Sequence, residues 1–321
     1  MKASVVIPVK NGGKLLEKVL EKVLAQKFDD FEVIVIDSGS KDNSIEDIKF
    51  LQKKYENLIL KEILPKDFGH GKTRNYGASI ASGQFIVFIT QDALPYDDNW
   101  LNEMIKPFEI SDDIVGVFAK HLPYEDCDIF EKENLNIHFN NFGQGIVLYK
   151  IEDKKRYEID EGYRHLLCFY SDNASAMRKD IWKNIPYEDV NFAEDQLWAK
   201  KIIELGYTKA YNSNAVVYHS HNYKFKEMLK RSYDDHKGLY EIYEYVPVKN
   251  IFLLPLYILN ATYRDLKFLL KKDLSKVEKI KWFIYSISKN IAKYTGSYLG
   301  PKKLSYSLGN LFSREHILRN K

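Results

Sequence analysis

The sequence predicts an α/β fold with a largely parallel sheet flanked by helices, followed by a helical, basic C-terminal region. Three observations carry this expectation. Short β-branched runs alternate with stretches of helical periodicity from the first residues onward. Most of these runs end in small, polar or acidic turn residues. After about residue 222 the alternation gives way to Lys- and Tyr-rich helical stretches.

Taken in order, Ser4 to Pro8 is a buried-strand candidate that stops at the turn Lys10-Asn11-Gly12-Gly13. Leu15, Leu16, Val19, Leu20, Val23 and Leu24 then recur at helical spacing. Phe31 to Asp37 is the next strand, followed by a Ser/Gly/Asp turn and a helix to about Tyr55. Leu58 to Ile63 reads as a short strand and Lys72 to Ala81 as a helix. Phe85 to Pro95, FIVFITQDALP, is a buried strand that delivers Asp92 at its carboxyl end. Asp97 to Phe108 is expected to be helical and Ile114 to Ala119 extended. Residues 123–168 show little periodicity, and a connection of that length without regular structure would be a lid, a binding surface or disorder. Glu194 opens a helix, and Ala215 to His221 is a last strand ending in two histidines.

A length of 321 residues with 45% hydrophobic composition is enough for a sizeable core. The two cysteines, Cys127 and Cys168, have no metal-ligand spacing and cannot make a disulfide framework, which favours a reducing compartment. No apolar run approaches the roughly 18 residues needed to cross a bilayer, and the N-terminus enters a strand without a signal-peptide core, so a cytoplasmic protein is expected. The net charge of +3 hides an asymmetry: residues 222–321 hold 20 Lys and Arg against 9 Asp and Glu, and the front of the chain is acidic. Nucleic acid, anionic lipid, a phosphorylated substrate or plain solvent would each suit the basic part. No recognised nucleic-acid module accompanies the charge, so no nucleic-acid partner is expected.

Neither G-x-G-x-x-G nor G-x-x-x-x-G-K-[ST] is present, which removes most of the weight from dehydrogenase and P-loop readings. Instead two strands end in carboxylates, Asp37 and Asp92, suited to a nucleotide's hydroxyls and to a cation on its phosphates. Phe68 to Ala78, FGHGKTRNYGA, sets His70, Lys72 and Arg74 beside glycines at a helix start. That arrangement would suit a phosphate, or would be a basic turn only. Glu194 and Asp195 sit in the first helical turn, where the helix dipole alone favours acids. His219 and His221 share a face if their strand continues through them.

In this order, SVVIPVKNG, VIVIDSGSKDNS, FGHGKTRNYGA, FITQDALP, FAEDQLWAKKI and VVYHSH resemble the family 2 glycosyltransferases, in particular their rhamnosyltransferase-like branch, over about the first 225 residues. The resemblance implies a GT-A fold with a mixed, mostly parallel sheet. Residues 1–221 would be the catalytic domain, with a nucleotide-sugar half at 1–120 and an acceptor half at 121–221. It also implies sugar transfer with inversion, usually with Mg²⁺ or Mn²⁺, from a nucleoside-diphosphate sugar to a glycan or lipid-linked glycan. Asp37, Gly39 and the Pro8 to Lys10 turn would hold the nucleoside, and Arg74 would approach its base or phosphates. Asp92 matches the D-x-D metal site, although TQDA keeps one carboxylate where two or three are usual. His219 then becomes the natural second ligand and His221 a weaker candidate. Asp195 matches the general base, with Glu194 and His70 in support.

Residues 222–321 place Tyr and Trp beside apolar faces with lysines nearby, as in helices that lie on an anionic membrane surface. Packing on the catalytic domain or dimerisation would use the same pattern. Two other functional classes fit the same features. A sugar-phosphate nucleotidyltransferase would release pyrophosphate, and a non-catalytic membrane- or carbohydrate-binding protein would turn over no sugar nucleotide.

Overall fold

The computed structural model describes residues 2–190, 192–302, 304 and 306–313. They fall into two compact units, one of residues 2–190 and 194–221, the other of residues from Asn222 onward together with Phe192 and Ala193.

The first unit is built on a nine-stranded mixed sheet. Its strands are β1 (Ala3–Val9), β2 (Phe31–Asp37), β3 (Leu58–Glu62), β4 (Phe85–Ile89), β5 (Leu94–Pro95), β6 (Ile114–Leu122), β7 (Ile146–Tyr149), β8 (Ala174–Arg178) and β9 (Thr208–Tyr218). The order across the sheet is β3-β2-β1-β4-β8-β6-β9-β5, with β7 also on β9. β1 to β4 are mutually parallel; β8 runs against both β4 and β6, and β6 and β9 are again parallel to the rest. β2 and β4 are buried at every position, as continuous Val/Ile/Phe runs require when both faces are covered.

Helices α1 (Gly13–Leu24), α2 (Ser44–Gln52), α3 (His70–Ile80) and α4 (Trp100–Ile105) connect the early strands. α1 buries Leu16, Val19, Leu20, Val23 and Leu24 in the core on one side of the sheet. α3 lies on the other side, where Gly77 is needed: a Cβ there would come within 2.3 Å of Val6 on β1. The poorly periodic stretch 123–168 does have regular structure: α5 (Ile129–Asn140), β7, α6 (Lys154–Ile159) and α7 (Glu161–Cys168). The sequence pattern is weak because α5 buries only Phe130 and Phe139 and α6 buries nothing. Helices α8 (Lys179–Asn184) and α9 (Glu194–Glu204) complete this unit. Cys127 and Cys168 are both free and buried.

β9 carries a fully buried cation. Lys209 Nζ donates to the carbonyls of Leu166, at 3.2 Å, and Phe169, and lies over the rings of Phe118 and Tyr149. Burial pushes its ammonium down from 10.5 to about 7. Between these values the unfolded chain binds the proton and the folded chain releases it, so this lysine makes stability rise with pH across that window. Urea titrations at pH 7 and pH 9 are therefore expected to show wild type gaining on Lys209→Met as pH rises. A difference that does not change with pH would refute this.

The second unit is helical. It comprises α10 (Phe225–Tyr243), α11 (Leu254–Lys271), α12 (Lys276–Leu299) and α13 (Tyr306–Phe312). Gly296 and Gly300 let α12 approach the α10 backbone closely: a Cβ on Gly296 would lie 2.4 Å from the Leu229 carbonyl oxygen. No helix among the described residues is long and apolar enough to cross a membrane.

Candidate active site

The strand directions bring the chemistry to one edge of the sheet. Lys10, Asp37, Asp92 and His219 all lie at or just past the carboxyl ends of strands that run the same way. β8 runs in the opposite direction, so the turn before it, with Asp172, opens on the same edge.

At the β1 and β2 ends the backbone is held by side chains. The Lys10 amide donates to Gln91 Oε1 at 2.9 Å, and Gln91 Nε2 donates back to the Lys10 carbonyl at 3.2 Å. Gln91 of TQDA thus ties the Asp92 turn to the Pro8 to Lys10 turn. Asn11, in the left-handed region, accepts from the Lys41 amide and donates its own amide to Ser40 Oγ. Asp37 is fully buried, and its carboxylate accepts from the amides of Gly39 and Ser40 at 2.8 and 2.9 Å and from the Ser40 hydroxyl. The nucleoside contact expected of Asp37 therefore competes with a turn that the same carboxylate already holds. Gly39 adopts φ +86° with Pro65 against it, a position only glycine takes without strain.

Asp92 meets both histidines. β5 pairs antiparallel with the end of β9, Leu94 opposite Tyr218, which folds the Asp92 turn onto the residues that follow β9. β9 stops at Tyr218, so the histidines lie beyond the strand. His219 Nε2 and His221 Nε2 are each 3.7 Å from an Asp92 oxygen, and one ligand atom from each residue lies within 4.8 Å of the others. His221, expected to be the weaker ligand, is as near as His219. Burial would raise the Asp92 carboxyl, but the two imidazoles, with Thr90 and the Asp92 backbone, together hold it below the usual range. A carboxylate and two imidazoles within that span fit a first-row divalent cation. Tyr124 frames the group by donating its hydroxyl to the Asp92 carbonyl and its amide to Ser220 Oγ.

The second cluster surrounds the start of α9. Glu194 and Asp195 point different ways, as adjacent helical residues must. Glu194 Oε1 accepts from Arg74 Nη1 at 2.7 Å, whereas Asp195 Oδ2 accepts from the Asp172 amide at 3.1 Å and its Oδ1 from the Gln196 amide at 2.8 Å. Arg74 Nε also lies 3.1 Å from Asp172 Oδ2, and Asp172 Oδ1 accepts from the Ser175 and Tyr187 hydroxyls. Burial, then the carboxylates of Glu194 and Asp172, push the Asp195 carboxyl well above the ordinary carboxylate range.

Arg74 therefore has surroundings other than those expected of a phosphate ligand. It is 5% exposed and sits between two carboxylates, with Nη1 also donating to the carbonyl of His70, the first residue of α3. Replacing it with Met would leave two buried carboxylates unneutralised, and urea unfolding is expected to show a loss of about 3–5 kcal/mol. A loss below about 1 kcal/mol, the scale of a surface pair, would show that the cluster is not held by charge.

Asp172, Tyr187 and Gln91 were not singled out from the sequence as site residues. Asp172 lies in a Ser/Asp/Asn/Ala stretch whose small polar residues read as a substrate contact or merely as a strand and turn. Its partners are 98 positions earlier and 23 later, and only the reversed strand brings them together.

The mixed sheet with carboxylates and histidines gathered on one edge, taken with the family match over residues 4–185, makes the chain a glycosyltransferase of GT-A fold that uses nucleotide sugars. The chain belongs to glycosyl transferase family 2, whose family model matches residues 4–185. It is 33% identical over 238 residues to the O-antigen chain rhamnosyltransferase RfbN of Salmonella typhimurium, covering 73% of this chain and 71% of that protein. With the O-antigen chain rhamnosyltransferase WbaN of Salmonella anatum it shares 32% over 208 residues, covering 63% and 61%. Among solved structures, S. aureus TarS 1-349 matches with a TM-score of 0.55 at 16% identity, over 94% of this chain and 92% of that one. The mannosyltransferase PcManGT of Pyrobaculum calidifontis, solved with GDP-Man and Mn²⁺, matches at 0.52 and 14%, over 93% and 73%. These two likenesses concern the fold.

Proposed function

We propose that this protein is an inverting glycosyltransferase that moves rhamnose from a nucleoside-diphosphate sugar to a hydroxyl of a glycan or lipid-linked glycan during surface polysaccharide synthesis. The observation that carries this reading is a carboxylate, Asp195, hydrogen-bonded to the Asp172 turn that opens on the same edge as Asp92, His219 and His221. The rhamnosyltransferase relatives support the choice of sugar. A lipid-linked acceptor would put the enzyme at the inner face of the cell membrane.

An acceptor hydroxyl is a poor nucleophile until a base takes its proton. Asp195 takes that proton as the hydroxyl oxygen attacks the anomeric carbon from the face opposite the leaving diphosphate, which inverts the anomeric configuration. The amides of Asp172 and Gln196 fix its two oxygens. Burial, with the neighbouring Glu194 and Asp172 charges, raises its proton affinity above that of an ordinary aspartate, which favours uptake of the hydroxyl proton. Arg74 acts on this chemistry through the carboxylates, by limiting their repulsion. Asp92, His219 and His221 would hold Mg²⁺ or Mn²⁺, with the imidazoles favouring Mn²⁺. Such an ion, when bound, offsets the charge that gathers on the departing diphosphate. Pro8, Lys10, Asp37 and Gly39 shape the nucleoside end of the same edge.

Transfer assays with a panel of nucleoside-diphosphate sugars, with and without Mn²⁺, test the reading. Release of a nucleoside diphosphate from a rhamnose donor is the expected result. Release of pyrophosphate would instead make the protein a nucleotidyltransferase, and no turnover of any donor with any acceptor would leave a binding protein.

A further inference from the structure

Helices α11 and α12 form a hairpin whose polarity is the reverse of what water selects. Asp265 of α11 faces the partner helix, where its Oδ2 accepts from Ser286 Oγ at 2.5 Å and Asn290 Nδ2 at 2.9 Å. Asn290 Nδ2 also reaches Thr262 Oγ1 at 3.3 Å, and Thr262, Ser286 and Asn290 are all buried. Large apolar side chains lie on the outside, while Ala261, Leu269 and Ala292 are buried. Leu256, Leu259 and Leu270 on α11 and Val277, Ile280 and Ile284 on α12 are each 60–76% exposed. With Tyr263, also more than half exposed, the spacings are three, four and seven along α11, and those along α12 are three and four, so each helix carries an outward apolar stripe. A hydrogen-bonded seam with apolar exteriors is how helices associate when the surrounding medium is itself apolar.

The charges specify the medium further. Arg264, Lys267 and Lys271, exposed and spaced by three and four, border the α11 stripe, and Lys267 Nζ lies 4.4 Å from the centre of the Tyr263 ring. The only acid in α11, Asp265, is in the seam, and the only acid in α12, Glu278, caps the helix's own N-terminus. The outer surface of α11 therefore offers cations and apolar groups without a carboxylate. Neither helix can span a bilayer.

We infer that α11 and α12 dock on an anionic lipid surface, with the leucine and isoleucine stripes in the interfacial layer and Arg264, Lys267 and Lys271 on the headgroups. A second copy of the chain is the weaker occupant, because a two-fold contact covers one self-complementary patch, whereas here both helices are apolar outward. The inference rests on the second unit alone and holds whichever sugar the first unit transfers.

Flotation of the full chain with phosphatidylcholine vesicles, and with vesicles containing phosphatidylglycerol, tests it. Three exposed cations are expected to give roughly a hundredfold preference for the anionic vesicles. The pairs Leu256→Glu/Leu259→Glu and Ile280→Glu/Ile284→Glu should each abolish flotation, and Lys267→Glu/Lys271→Glu should abolish the preference. Should any variant fail to fold by circular dichroism, hydrogen exchange of the wild-type chain decides. Slowed exchange across residues 254–291 on adding anionic vesicles supports the inference, and unchanged exchange overturns it. Absence of flotation with either vesicle also overturns it, as does a dimer by light scattering that Ile280→Glu/Ile284→Glu dissolves.

Discussion

Asp195→Asn is expected to lower kcat by about 10²- to 10⁴-fold, the usual contribution of a positioned general base, while the affinity for nucleoside diphosphate stays within a factor of about three. The asparagine keeps the size of the side chain but cannot take a proton. Wild-type kcat/KM should also fall on the acid side of a pH profile as Asp195 becomes protonated. That limb should lie above the range of an ordinary aspartate, because burial and the carboxylates of Glu194 and Asp172 raise its proton affinity. Stopped-flow or steady-state assays together with calorimetry of nucleotide binding separate the two effects. A loss of nucleotide affinity on the same scale as the loss of rate would assign Asp195 to donor binding instead.

Asp92→Ala is expected to remove about a thousandfold of activity, along with any response to added Mn²⁺. His219 and His221 remain in the variant, but the group has lost its carboxylate, its anionic donor. The informative readout besides rate is calorimetric titration of Mn²⁺ in the presence of nucleoside diphosphate, which should lose its high-affinity phase. His221→Ala should resemble His219→Ala in that titration, since both imidazoles stand 3.7 Å from Asp92. A fully active Asp92→Ala enzyme would rule out the cation site.

Much of this arrangement was legible in the residues, for identifiable reasons. β1, β2 and β4 are nearly continuous apolar runs because both sheet faces are covered, and short runs of that kind announce strands. The Glu194 helix start coincides with the first residue of α9 because its acids and its apolar periodicity agree. What escaped was long-range. Arg74 beside glycines at a helix start looks like a phosphate site, and nothing near it in sequence announces that Glu194, 120 positions later, will neutralise it. α5 and α6 bury so few side chains that no stripe marks them. The periodicity of α11 and α12 was visible, but which face would be turned outward was not.

The reversed strand has a consequence for how this enzyme can vary. β6 leaves the sheet at Leu122 and β8 re-enters it at Ala174, on the same edge and as hydrogen-bonded neighbours. The excursion between them, with α5, β7, α6 and α7, begins and ends beside the site, and its two ends are already held together by the sheet. Lengthening such a segment adds little loop-closure entropy, since each doubling costs only about 0.6 kcal/mol. It can therefore absorb added residues. Insertions within residues 126–165 would leave the Asp92 turn and the strands beneath it in register, provided that the β7 pairing to β9 is kept, because Tyr124, which donates to the Asp92 carbonyl, and the Leu166 to Asp172 stretch lie outside them.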